Sequence, residues 1–417
     1  MMGDDFGMRT ATIFIGREGI DSAEKFIGNM GLFEDSGISV RTTRAVLGYS
    51  QFKEKEIEEI SKNLEDIGFW GYCVSFDDPL DESQIELAKH IVLKTKNGFA
   101  NFALSGANES LDSNYISPCV NLIKDISKVD GGIENFKLGF SFGLDSETPF
   151  FPYSKNHSRE GFSVGLEYVN LLKKIIIEND RKPMDEIRES IIYGMNNMLK
   201  SVSKACKAVE KKSGLEFLGF DLSLAPYPYP LEDQSIVDLI EVLGNKGRSR
   251  GDREFRFGMS GTMFLHTFLT STIKEIIGSG NWPTTGFNGV MYSLLEDTGL
   301  SKRYSDGSLG VNDLLLTSTT CGVGIDMVPI TGRTSRKTIA SIFFDVYSIS
   351  ISLNKPLGIR ILPIPDSRPG DPTRFRHLFF ANTVLKDIGE GISFNELPAQ
   401  KEDDSTIMLW KRGVENF

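Results

Sequence analysis

Residues 68–106 read GFWGYCVSFDDPLDESQIELAKHIVLKTKNGFANFALSG. The first part, 68–76, is an aromatic-rich run of strand character. A helical pattern covers 81–94, and a second strand-like run, 97–106, closes the stretch. Two strands joined by a helix of this length form a crossover unit, which places the strands parallel with the helix on one face.

The same alternation extends in both directions. RTATIFIG (9–16) and ISVRTTRAVLGY (38–49) read as strands, and a charged amphipathic helix follows at 53–67. After 106 comes a helix from Asn114 with Pro118 in its first turn, where the missing N–H costs little. FKLGFSFGL (136–144), GFSVGLE (161–167) and LEFLGFDLSLAP (215–226) are further strands, with a long helix at 184–211. Helices are expected at 233–243 and 260–277. The last strands are GFNGVM (286–291, the weakest), CGVGIDMVPI (321–330) and LGIRILPIP (357–365), the last two separated by a helix over 334–353. The pattern predicts a mostly parallel sheet with helices outside. No linker or low-complexity tract interrupts it. One large domain is therefore expected over 1–393, with a polar C-terminal tail at 394–417.

Composition narrows the function classes. The 417 residues carry a net charge of −11, with a pI near 5.1. An acidic chain lacks the basic surface that nucleic acid or an anionic membrane requires. Cys73, Cys119, Cys206 and Cys321 are widely spaced, with no C-x-x-C pair. This spacing argues against a thiolate zinc site and a disulfide framework, and for a reducing, cytoplasmic compartment. MMGDDFGMRT has neither a basic nor an apolar leader segment, so no signal peptide is expected, and no transmembrane span is apparent. No nucleotide-binding motif is present.

Several polar residues fall where chemistry is expected. Parallel α/β folds bind ligands at the carboxyl ends of their strands. Asp221 sits in an apolar run, and Asp326 closes the stretch TCGVGIDMVP (320–329). Each is either a loop cap or ion-pair partner, or a site carboxylate. Cys321, beside two closely spaced glycines, is either a small buried hydrophobe or a nucleophile presented on a tight turn. Gly258, Ser260, Gly261 and Thr262 precede a helix and can hold a phosphate or carboxylate. The alternative has Ser260 as an N-cap and Gly258 easing the turn. His266, on the apolar face of that helix, reads as a core histidine. Arg333, Arg336 and Lys337 open another helix, either as an anion site or as a solvated, capped end. His157 and Glu167 flank a stiff loop, TPFFPYSKNHSREGFSVGLE (148–167), and form a possible acid–base or metal-ligand pair. Lys355 and Arg360 either hold a substrate carboxylate or pair with Asp221 or Asp326.

Taken together, FDLSLAP, CGVGIDMVPI, NKPLGIRILPIP and TPFFP…H…SVGLE resemble the uncharacterised family called domain of unknown function 711. They occur in the family's order and span most of the chain. The resemblance implies a fold similar to that of pyruvate formate-lyase: a ten-stranded α/β barrel with a loop inserted into the barrel and helices outside. It places TCGVGIDMVP at the central loop or its flanking strand. In pyruvate formate-lyase relatives a cysteine on that loop reacts as a thiyl radical. Here the glycyl-radical signature is absent near the C-terminus. RAVLGY (44–49) has a superficial likeness at the wrong end of the chain. The expectation is therefore a non-radical enzyme acting on a small anionic metabolite in a barrel-centre pocket. Arg360, Asp221 and the 258–262 loop would bind substrate, and Cys321, His157, Glu167 and Asp326 would carry the chemistry. One alternative is a hydrolase or lyase dependent on a divalent cation held by Glu167, Asp221 and Asp326. Another is a non-catalytic metabolite-binding or sensor protein. The aromatic segments PYPYP and FRHLFF (375–380) either form a homo-oligomer interface or pack inward.

Overall fold

The computed structural model describes residues 6–16, 19–77, 80–105, 111–156, 159–228, 233–249, 251–320, 322–392 and 406–407. The expected strands form a single nine-stranded sheet. Its members are β1 (Gly7–Phe14), β2 (Val40–Gly48), β3 (Gly71–Asp77), β4 (Gly98–Ser105), β6 (Leu138–Phe142), β7 (Gly161–Glu167), β8 (Phe217–Asp221), β9 (Gly324–Thr331) and β10 (Leu357–Ile364). The short β5 (Leu111–Asp112) pairs separately with β11 (Thr406–Ile407), which lies within the segment expected to be a polar tail.

The sheet order is β8-β7-β1-β2-β3-β4-β6-β10-β9. Five central strands run parallel to one another. β7 and β10 pair antiparallel to the two ends of this group, and β8 and β9 continue parallel to them. The sheet is thus mostly parallel, with two reversals.

The two faces of the sheet differ in chemistry. Ala45, Leu47, Tyr72, Val74, Phe76, Ala100, Phe102 and Phe140 point to the main core, where helices such as Glu82–Lys94 and Ile116–Ile126 pack. Alternate residues Phe14, Val46, Cys73, Phe99 and Leu218 meet in a second cluster on the opposite face, together with Phe151. Phe151 belongs to the 144–156 segment, which lies against this inner face. Its carbonyls at Pro149 and Ser154 accept from Thr12 Oγ1 and Asn101 Nδ2 at 3.3 and 3.2 Å. Asn156 Nδ2 donates to Ile15 O and Val46 O. Polar residues tolerate full burial on this face because the segment supplies their partners.

Nine of the ten expected strands are present, and 286–291 is the exception. Within it only Val290 forms an isolated bridge, to Leu224. The cause is local. Gly286 and Asn288 have φ of +75° and +50°, and the N–H groups of Phe287 and Asn288 donate to the carboxylate of Asp221. The surrounding stretch nevertheless spans the two edges of the sheet. Phe220 and Leu224 exchange backbone bonds with 283–291, while Leu294 N donates to Asp326 O. A Cβ at Gly286 would lie 2.1 Å from Asp221 Oδ2. Gly286→Ala should therefore cost about 2–4 kcal/mol, through a left-handed backbone and a clash with a buried carboxylate. Chemical denaturation checks this, and an unchanged midpoint would contradict it.

Helices at Ile20–Ile27, Thr298–Ser305 and Val311–Thr320 were not legible in the sequence. No helix among the described residues is long and apolar enough to cross a membrane.

Candidate functional site

An interior cavity of about 450 Å³ opens at the amino ends of the five central strands. The expectation placed ligands at carboxyl ends. Because the sheet reverses direction twice, this end also receives the carboxyl side of β8, through Tyr227. Arg9 on β1, Arg41 and Arg44 on β2, and Arg360 on β10 line the cavity. Trp70, Phe99, Phe136, Phe151, Phe379 and Phe380 supply aromatic walls.

Backbone irregularities aim two of these charges. In the β9–β10 ladder, Ile325 pairs with Ile359 and Val328 with Ile361, so two residues, Asp326 and Met327, oppose Arg360. Met327 has φ +53°. Such a bulge redirects side chains. Here Asp326 meets Arg360 in a bidentate pair, Nε to Oδ1 at 2.7 Å and Nη2 to Oδ2 at 2.9 Å. Tyr153 Oη donates to Asp326 Oδ1 at 2.6 Å, and Arg360 Nη2 also reaches Glu296 Oε2 at 2.9 Å. Burial works against the charge on Arg360, but Asp326 and Glu296 outweigh it and raise its pKa. Burial likewise opposes the Glu296 carboxylate, which Arg360 and Arg9 nonetheless hold below the usual range. Burial pushes the Tyr153 phenol well above its ordinary value, and Asp326 pushes it further. A second register shift at Arg9 accompanies the Arg9–Glu167 ion pair of 3.2 Å. Arg41 also pairs with Glu167. The Arg9 and Arg41 guanidiniums each lie 4.5 Å from the centroid of Tyr227.

Arg44 is different. It is 7 % exposed. Its hydrogen bonds go from Nε to Thr42 Oγ1 at 3.1 Å and from Nη1 to Pro149 O at 3.4 Å. Neither partner is an anion, and among the described residues no carboxylate forms an ion pair with it. Trp70 and Phe151 rings lie 4.9 Å from its Cζ. Burial, followed by repulsion from Arg9, lowers its pKa to about 9.

The other expected site residues are placed as follows. Asp221 is buried and accepts from Ser223 Oγ at 2.6 Å, Ser223 N at 3.0 Å and Thr148 Oγ1 at 3.0 Å, besides the 287–288 amides. Burial raises its pKa. It organises a loop and does not line the cavity. Glu167 and Asp326 sit behind the cavity arginines. Among the described residues, no group of three His, Cys, Asp or Glu side chains is placed to hold a metal ion, and Glu167, Asp221 and Asp326 form no such group. Gly258, Ser260 and Gly261 are exposed and away from the cavity lining. The N-cap of their helix is Gly261 rather than Ser260, because Gly261 takes the left-handed conformation. The Thr262 hydroxyl instead accepts from Gly258 N at 3.0 Å. Ser335 caps the helix behind Arg333, and Arg336 donates to Asn121 Oδ1. Lys355 Nζ donates to Ser318 O at 2.7 Å. His266 is a core residue whose pKa burial lowers to about 3. His157 and Cys321 lie outside the described residues. Cys73, Cys119 and Cys206 are buried thiols, and burial raises the Cys73 and Cys206 values.

His377, Glu296 and three of the four cavity arginines escaped the sequence reading. A signal was present for Arg44. It sits mid-strand between Thr43 and Ala45-Val46, and an arginine in such a run needs a partner, as was argued for Arg360. FRHLFF packs inward: His377, Phe379 and Phe380 line the cavity, although Leu378 is exposed. Phe379 N donates to His377 Nδ1 at 3.3 Å, and burial lowers the imidazole pKa. The ring is therefore neutral near pH 7, with its proton on Nε2.

Sheet and cavity define an α/β protein with an arginine-lined interior pocket. The family described as Uncharacterised ACR (DUF711) matches residues 22–382, and the chain belongs to it. Curated relatives carry the name UPF0210 protein. The one from Oenococcus oeni is 24% identical over 300 residues, covering 71% of this chain and 64% of its own length. The one from Caldicellulosiruptor saccharolyticus is 23% identical over 338 residues, 79% of this chain and 72% of its own. The one from Pyrobaculum islandicum is 28% identical over 184 residues, 44% of this chain and 38% of its own. The match thus spans less than two thirds of the Oenococcus and Pyrobaculum proteins.

Proposed function

We propose that the protein binds a small organic anion in the arginine-lined cavity. The observation that carries this reading is Arg44, a buried cation facing the cavity that forms no ion pair among the described residues, with Glu296 on the cavity wall acting on it only beyond ion-pair contact. A buried charge is costly unless paired, so a site that keeps one is built for a charge that arrives from solution. The architecture we propose around it is a ring of nine strands closed by the irregular 283–294 stretch, with the 144–156 segment inserted, similar to the pyruvate formate-lyase fold. The backbone bonds of 283–294 to both sheet edges support closure.

Binding is better supported than catalysis. Glu167 and Asp326, expected to carry the chemistry, are engaged by arginines, and Asp221 is spent on a loop. One observation favours a non-radical enzyme as the second reading. His377, neutral and with its proton on Nε2, lines the cavity beside Glu296, and a neutral imidazole can polarise a substrate oxygen.

The test is thermal stabilisation by carboxylates at fixed ionic strength. Millimolar carboxylate should raise the melting temperature of the parent chain and leave that of Arg44→Met unchanged. Equal shifts in both proteins would remove Arg44 from the site. For the second reading, His377→Gln should retain the thermal shift and abolish any turnover found in a metabolite screen.

A further inference from the structure

The charges around the cavity also limit what kind of anion fits, an inference that rests on the anion-site reading above. Four guanidiniums face the cavity. Glu167 balances Arg9 and Arg41 in part, and Asp326 and Glu296 together balance Arg360. Four positive charges against three negative leave a surplus of one. His377 adds none while neutral. Arg9 and Arg41 share one carboxylate and Arg360 has two, whereas Arg44 alone among the four forms no ion pair with a carboxylate among the described residues.

The walls supply the other half of the argument. Trp70 and Phe151 flank the Arg44 guanidinium at 4.9 Å. Phe99, Phe136 and Phe379 continue the aromatic lining. Edge-to-face contacts fix several of these rings, Phe379 against Trp70 at 6.0 Å and Phe136 against Phe99 at 5.7 Å. A small hydrophilic anion such as acetate would leave these walls wetted. A dianion would bring a second negative charge next to the Glu296 carboxylate, beyond the net surplus of one, towards Arg9 and Arg41, which already share Glu167. A cavity near 450 Å³ admits a fused two-ring body.

We propose that the cavity takes an aromatic monocarboxylate, its carboxylate on Arg44 and its ring system between the aromatic walls. The Arg44 fork donates from Nη2 and from the Nη1 hydrogen that Pro149 O does not take, since Nε serves Thr42. Arginine is suited to this because its planar fork matches a carboxylate and its faces stack on rings.

Isothermal titration at pH 8 of the full chain with four probes tests the class: naphthalene carboxylate, its neutral carboxamide, acetate and naphthyl phosphate. Naphthalene carboxylate should bind at least about tenfold tighter than each of the other three, and Arg44→Met should remove that preference over the carboxamide. Tighter binding of naphthyl phosphate would overturn the monoanion assignment while leaving an anion site in place. Acetate binding as tightly as naphthalene carboxylate would overturn the aromatic part. If no anion binds the parent chain, this inference and the anion-site reading fall together. Circular dichroism of Arg44→Met confirms that lost binding is not lost fold.

Discussion

Arg44→Met is expected to unfold at a higher denaturant concentration than the parent chain while losing its affinity for carboxylates. Both effects come from one cause. The guanidinium is buried among aromatic rings, with Arg9 and Arg360 opposing its charge and Glu296 partly offsetting them, and among the described residues its hydrogen bonds go to a hydroxyl and a carbonyl. Replacing it with an apolar chain of similar length removes a desolvated charge and keeps the packing against Trp70 and Phe151. The gain should be about 1–4 kcal/mol, the range seen when buried ionic groups give way to apolar ones. Its pH dependence is fixed in sign. Burial and the neighbouring Arg9 guanidinium lower the Arg44 pKa to about 9, from the higher range usual for arginine. Below pH 9 both states hold the proton, and the penalty is fully present. As pH rises past 9 the folded state releases the proton first, so the advantage of Arg44→Met shrinks. A variant destabilised at pH 7 by more than about 1 kcal/mol would mean that Arg44 is a structural residue. A site that trades stability for ligand capture in this way follows the usual pattern of functional residues.

Arg360→Met should have the opposite effect on stability. Arg360 holds Asp326 through two buried bonds and Glu296 through one that is part-buried. Its removal strands two carboxylates and leaves the Tyr153 hydroxyl as the principal donor to Asp326. The expected loss is about 3–5 kcal/mol, as found when one partner of a buried pair is removed. Arg360→Met with Asp326→Asn should recover part of this loss, since the two residues are in contact and their effects do not add. Denaturation of the single and double variants measures the coupling. An Arg360→Met protein as stable as its parent would mean that the pair is dispensable. The contrast between Arg44 and Arg360, both arginines inside strands of one sheet, isolates the role of the partner anion.

The contrast also explains what the sequence could disclose. Strands such as 68–76 and 97–106 were legible because hydrophobic alternation and the intervening helix act locally. The 286–291 stretch was misread because its conformation depends on Asp221, which lies far away in sequence and takes up its amides. Arg360 was singled out as needing an anion, and Asp326 was one of the partners considered. The bulge that brings them together could not be foreseen, since it depends on the register between β9 and β10. Arg9 and Arg41 sit near strand beginnings and Arg44 in the middle of β2, whereas site residues are expected at the carboxyl ends of strands. In a sheet whose strands run both ways, that distinction disappears. His377 lies on a chain segment without regular structure, and only the three-dimensional packing of 375–380 brings its ring to the cavity.

The most direct measurement is a crystal structure of the protein grown with naphthalene carboxylate. The predicted result is a carboxylate oxygen about 2.8 Å from a guanidinium nitrogen of Arg44, with the rings between Trp70, Phe151 and Phe379. An empty cavity at saturating ligand, or a protein carboxylate seated on Arg44 in its place, would contradict the claim that this arginine awaits an anion from solution.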